Sequence, residues 1–127
     1  MTMKVLLVDD EEDIRKIGRL SLEAVGKFQT IVAANAIDAL ALAASEHPDL
    51  ILMDMMMPGM DGLAALAELQ RAPALKTIPL VFMTAKVQRA DVAHYLAAGA
   101  IGVIGKPFDP MTLPDELRRL LAARVVP

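Results

Sequence analysis

Two adjacent aspartates near the start of the chain, Asp9 and Asp10, a third at Asp54, a hydroxyl at Thr84 followed by the small Ala85, and an ammonium at Lys106 carry the strongest chemical potential in this sequence. Taken singly, each has a plain structural explanation. Asp10 can cap a helix, Asp54 can end a strand, Thr84 can cap, and Lys106 can sit in solvent. Taken together they are harder to dismiss, because each lies at or just past the end of a short apolar run. If those runs are neighbouring strands, three carboxylates converge on one rim with a single lysine to balance them. Such a cluster calls for a cation. A hard divalent ion such as Mg²⁺, or Mn²⁺ in its place, suits carboxylates plus water and leaves positions open for phosphate oxygens. Zinc fits poorly, since the chain has no cysteine and His47 and His94 are badly placed.

The elements that must position these residues follow from hydrophobic patterning. Apolar runs at residues 4–8, 30–33, 50–53, 80–83 and 101–104 are nearly unbroken, as expected of strands buried on both faces. Between them lie segments of helical period. The first, residues 11–25, places Ile14, Ile17, Gly18, Ser21, Leu22 and Val25 on one face and stops at Gly26. Asn35 caps a second that ends near Glu46, before His47-Pro48, and Gly62–Arg71 reads as the third, with Asp61 as its cap. A fourth spans about 87–98 and ends at Gly99. The fifth starts at either Asp109-Pro110 or Pro114 and turns Leu117, Leu120 and Leu121 inward.

Strand and helix alternating five times predict an α/β fold with a parallel sheet and helices on both faces, a three-layer α/β/α sandwich. Ligands in such open sheets gather beyond the carboxyl ends of the strands, which is where the reactive residues fall. The length of 127 residues and 55% hydrophobic content fit one domain, 1–127, with no room for an output domain. A net charge of −3 and the absence of a basic stripe argue against direct nucleic-acid binding. The four-residue apolar run before Asp9 is too short for a signal peptide or membrane span, and with the lack of cysteine it fits a cytoplasmic protein.

The runs Val8-Asp9-Asp10, Leu52-Met53-Asp54-Met55-Met56-Met57-Pro58-Gly59-Met60-Asp61-Gly62, Met83-Thr84-Ala85 and Lys106-Pro107-Phe108, in this order and spacing, resemble the receiver domains of response regulators in two-component signalling. The resemblance spans essentially the whole chain. It implies the flavodoxin-like strand order 2-1-3-4-5, and it implies that Asp54 accepts a phosphoryl group from a histidine kinase, a histidine phosphotransfer protein or a small donor such as acetyl phosphate. By the same resemblance Asp10, Asp54 and the backbone carbonyl of Met56 would hold Mg²⁺ directly and Asp9 mainly through water. Lys106, the Thr84 hydroxyl and the Ala85 N–H would take the phosphoryl oxygens. A cis Lys106-Pro107 bond is also implied, although the residues alone predict trans.

The expected protein is thus a stand-alone regulator, monomeric or weakly dimeric, whose downstream partner reads a face made by the fourth helix, fifth strand and fifth helix. It would be no enzyme beyond catalysing its own phosphorylation and dephosphorylation. One departure concerns the switch: where the family often carries an aromatic three residues before the lysine, this chain has Val103. Tyr95 and His94 read as surface packing, and the methionines around Asp54 as core and loop filling. The resemblance also implies that the residues two beyond Asp54 and two beyond Thr84 control the hydrolytic water, and here Met56 and Lys86 lack the groups that would orient it. Two rivals stay open: an aspartate-based phosphohydrolase, whose Asp-x-Asp run at the first strand is missing here, and a degenerate receiver serving only as an interaction module.

Overall fold

Five parallel strands order themselves 2-1-3-4-5 in the computed structural model, which describes residues 2–124. They are β1 (Lys4–Val8), β2 (Gln29–Ala33), β3 (Leu50–Asp54), β4 (Leu80–Thr84) and β5 (Gly102–Gly105). Met1 and residues 125–127, the ends of the expected 1–127 domain, lie outside the described residues. Burial along the strands tracks this order. Every residue of β3 and β4 is buried, as central strands covered on both faces must be, while β2 at the edge exposes Gln29. Fold class and strand order are as expected from the sequence.

The helices are α1 (Glu12–Leu20), α2 (Ala36–Glu46), α3 (Gly62–Arg71), α4 (Arg89–Ala98) and α5 (Leu113–Ala123). Side-chain alternation along the strands divides the interior into two layers. Leu6, Ile51, Met53, Leu80 and Phe82 pack with Ala39, Ala43, Leu66 and Tyr95 on the α2, α3 and α4 side. Val5, Leu7, Leu52, Val81 and Met83 pack with Leu22, Leu113 and Leu117 on the other. Small residues let the helices approach closely: a Cβ added to Gly18 would stand 2.7 Å from the Leu7 side chain.

Helix starts and stops obey local chemistry. The Asn35 side chain accepts the Asp38 N–H at 2.8 Å and the Asp61 side chain accepts the Ala64 N–H at 2.8 Å, so both expected caps are in place. Gly99 ends α4 at φ 119°, and a side chain there would collide with Gln70.

Three expectations need correction. Residues 11–25 do not form one α-helix, because after Leu20 the chain widens into a π-helical segment, Ser21–Val25. This turn buries both Ser21 and Leu22, with the Ser21 hydroxyl donating to the Pro110 carbonyl, and it rotates Val25 out to 40% exposure. Ile17, at the edge of the stripe, is exposed as well. Tyr95 is not a surface residue; it is buried edge-on against Phe82, ring centroids 5.7 Å apart. The strand expected at 101–104 begins one residue later, at Gly102, and Ile101 is half-buried before it. The open start of the last helix resolves to Leu113 and Pro114, while Asp109 organises the preceding turn by accepting the Met111 N–H.

Candidate functional site

Parallel strands place all their carboxyl ends on one edge of the sheet, so β1, β3, β4 and β5 deliver Asp9, Asp54, Thr84 and Lys106 to a common rim. The ladder continues past the strand ends and fixes the departing loops. Asp9 N–H donates to the Ala33 carbonyl at 3.1 Å, Met55 N–H to Met83 at 2.9 Å, and Lys106 N–H to Thr84 at 2.9 Å. Beyond Asp54 the chain turns back at Gly59, φ 81°, and Gly62 N–H donates to the Met55 carbonyl at 2.9 Å. A Cβ on Gly62 would lie 2.7 Å from the Phe82 ring, so only glycine lets α3 start this close to the sheet.

The rim carries carboxylate oxygens of Asp9, Asp10 and Asp54 within 4.8 Å of one another. Asp9 and Asp54 are buried and Asp10 is exposed. Asp9 is already engaged at both oxygens: Oδ1 accepts the Glu11 N–H at 2.9 Å, and Oδ2 accepts Lys106 Nζ at 3.0 Å. Its backbone carbonyl accepts Arg15 Nη1 at 2.8 Å. Asp54 Oδ1 accepts the Met56 N–H at 3.2 Å, and its Oδ2 lies 3.5 Å from Lys106 Nζ. The Lys106-Pro107 bond is cis, against the expectation from the residues alone and in line with the resemblance.

Electrostatics follow from this crowding. Burial, and then the neighbouring Asp9 charge, push the Asp54 carboxyl up to about 6 despite the opposing pull of Lys106. For Lys106, burial works to lower its pKa, yet the hydrogen bond to Asp9 and the charges of Asp54, Asp9 and Glu11 together outweigh it and raise it. Lys106 is therefore a fixed cation. One lysine against three close carboxylates leaves the rim negative, and a hard cation with oxygen preference fits this donor set.

Asp54, Met56, Thr84, Ala85, Lys106 and Glu11 line a pocket of about 280 Å³ at this rim. Thr84 is buried, and its Oγ1 accepts the Lys86 N–H at 3.0 Å, which leaves its own hydroxyl proton to donate elsewhere. Met56 stands 64% exposed at the mouth, unlike the buried Met53, Met55 and Met57. The residue missed in the sequence is Glu11, whose Oε1 is 3.6 Å from Lys106 Nζ. Its signal was there: a backbone N–H two residues after an aspartate commonly turns back onto that side chain, and this fixes Glu11 beside the cluster.

A carboxylate at the end of the third strand, an acidic pair at the first, a hydroxyl at the fourth and a lysine after the fifth thus converge on one rim, and residues 5–118 match the response regulator receiver domain. The chain belongs to that family. Among curated receiver-containing proteins it is 37% identical to a probable transcriptional regulator ycf27 of Cyanophora paradoxa, over 93% of this chain and 48% of that protein. It is 36% identical to response regulator Rre1 of Synechocystis, over 94% of this chain and 52% of that protein. The chain spans about half the length of these relatives. Among solved structures, chemotaxis response regulator CheY4 of Vibrio cholerae superposes with a TM-score of 0.88 at 32% identity, covering 94% of this chain and 99% of that one. Receiver domains are signalling modules of two-component systems, and among the described residues no helix is long and apolar enough to cross a membrane.

Proposed function

We propose that this receiver accepts a phosphoryl group on Asp54 from a phosphohistidine of a histidine kinase or phosphotransfer protein, and that a protein partner reads the phosphorylated state. The observation that carries this reading is the placement of a buried Asp54 carboxylate at the base of an open pocket, 3.5 Å from Lys106 Nζ and beside the carboxylates of Asp9 and Asp10. Phosphoryl transfer depends chiefly on positioning and charge neutralisation, and this setting offers both.

In this reading Asp10, Asp54 and the Met56 carbonyl would hold Mg²⁺ or Mn²⁺, and Asp9, whose oxygens are both engaged, would contribute through water. The bound cation supplies neutralisation of the carboxylate cluster and of a phosphoryl oxygen. Asp54 attacks phosphorus, its oxygen forms the new P–O bond, and the bond to the donor nitrogen breaks as the ring, already protonated on its other nitrogen, leaves as neutral imidazole. Lys106 takes one phosphoryl oxygen as a point charge, and the Thr84 hydroxyl donates to another with the small Ala85 leaving access. Output is assigned to the surface of α4, β5 and α5, because Thr84 and Lys106 begin the loops feeding these elements. A groove of about 190 Å³ between β5 and α5, lined by Val103, Ile104, Glu116, Arg119 and Leu120, supports that assignment.

Incubation with acetyl phosphate and Mg²⁺, followed by intact-mass and peptide mass spectrometry, tests the reading. One phosphoryl group on Asp54 is expected. Label on another residue, or undiminished label in Asp54→Asn, would overturn it.

A further inference from the structure

We infer that Glu11 is a donor-selecting residue, which favours phosphoryl donors with a protonated nitrogen leaving group over those that leave as an anion. The inference rests on Asp54 being the phosphoacceptor and adds a substrate preference to that site. Asp54 lies buried at the base of the pocket while the Glu11 side chain is 63% exposed at its edge, so Glu11 belongs to the mouth. A nucleophile attacking in line from the base expels its leaving group toward that mouth. The leaving group therefore emerges on the side where the Glu11 carboxylate stands.

That carboxylate is only partly balanced. Its closest cationic contact is Lys106 Nζ at 3.6 Å, which is closer to Asp9 at 3.0 Å and Asp54 at 3.5 Å and is shared among all three. Nor is Glu11 spent on structure, because its side chain makes no capping hydrogen bond to α1 although it occupies the cap position. A residual negative charge at the exit repels the anion that forms on a departing acetate, whereas a nitrogen that is protonated while bonded to phosphorus and leaves neutral meets no such repulsion.

Two small donors separate these cases on the intact protein. With acetyl phosphate, Asp54 oxygen bonds to phosphorus, the P–O bond breaks and acetate leaves as an anion. With phosphoramidate, the P–N bond breaks and the nitrogen, already protonated, leaves as neutral ammonia. Asp54 labelling by each donor in Mg²⁺ is followed for wild type, Glu11→Gln and Glu11→Asp. In Glu11→Gln the ratio of the acetyl phosphate rate constant to the phosphoramidate rate constant should rise about threefold to tenfold, as one partly screened unit charge a few ångströms away would give.

Glu11→Asp, which keeps the charge, should hold the ratio near wild type, and 1 M KCl should shrink the Glu11→Gln effect because salt screens an exposed charge. A merely structural role would change both donors by the same factor. An unchanged ratio in Glu11→Gln, or an equal rise in Glu11→Asp, overturns the inference. Absence of Asp54 labelling by both donors in wild type would instead overturn the phosphoacceptor reading itself, and the inference with it.

Discussion

Lys106 Nζ sits closer to Asp9 Oδ2, at 3.0 Å, than to Asp54 Oδ2, at 3.5 Å. Its firmer partner before phosphorylation is thus a fully buried carboxylate that the proposed chemistry does not attack. Removing the lysine strands that charge. Lys106→Ala should fold but lose about 3 kcal/mol in metal-free urea denaturation, the cost of an uncompensated buried ion. Adding Asp9→Asn should recover much of the loss, because the two residues are coupled. Additive losses in the double variant would show that the pair is not the source.

Asp54 makes the metal-free protein pH-dependent. Its carboxyl is raised from 3.8 in the unfolded chain to about 6 in the fold, so the folded state binds the proton more tightly. The ionised form is penalised by folding: stability contributed at low pH is lost as pH rises toward and through 6, reaching a deficit of up to about 3 kcal/mol at neutrality. Relative to Asp54→Asn, wild type should therefore gain roughly 1 to 1.5 kcal/mol between pH 7.5 and pH 5. Urea titrations in EDTA measure this, and parallel pH curves for the two proteins would contradict it.

The two members of the acidic pair should differ toward Mg²⁺. Asp10 is exposed and Asp9 has both oxygens engaged, so Asp10→Asn should weaken Mg²⁺ binding about tenfold more than Asp9→Asn in a calorimetric titration. Equal losses would remove the distinction between direct and water-mediated roles.

Much of this site was legible in the chain, for a definite reason. Buried parallel strands read as unbroken apolar runs, and such runs end where a polar side chain appears, so Asp9, Asp54 and Thr84 announced both a strand end and a rim position. Side-chain partners carry no such mark. Nothing in the spacing shows that Lys106 prefers Asp9 to Asp54, or that a π turn follows α1. These depend on which rotamers and hydrogen bonds the packed neighbours leave open. Tyr95 was misread because α4 has almost no apolar stripe, and its burial is set by Phe82 across the layer.

The acyl phosphate should be long-lived. Hydrolysis needs a water in line with the Asp54 bond, but Met56 offers no strong hydrogen bond at the mouth and Lys86 offers no acceptor. Purified phosphoprotein of the Met56→Asn, Lys86→Glu double variant should decay about tenfold faster than wild type in Mg²⁺. Unchanged or slower decay would show that these positions do not limit the approach of water.

Alternation along the strands gives the two central site residues opposite addresses. Leu50 and Leu52 belong to the layer beneath α1 and α5, and Asp54 continues their side of β3; Leu80 and Phe82 belong to the layer beneath α2, α3 and α4, and Thr84 continues theirs in β4. In the proposed reading, a group bonded to Asp54 and hydrogen-bonded by Thr84 would act as a rivet at the rim of the sheet. Two interior slabs that otherwise share only a backbone partition would then be fastened at one edge, which would couple a loosening under Tyr95 to the α5 slab.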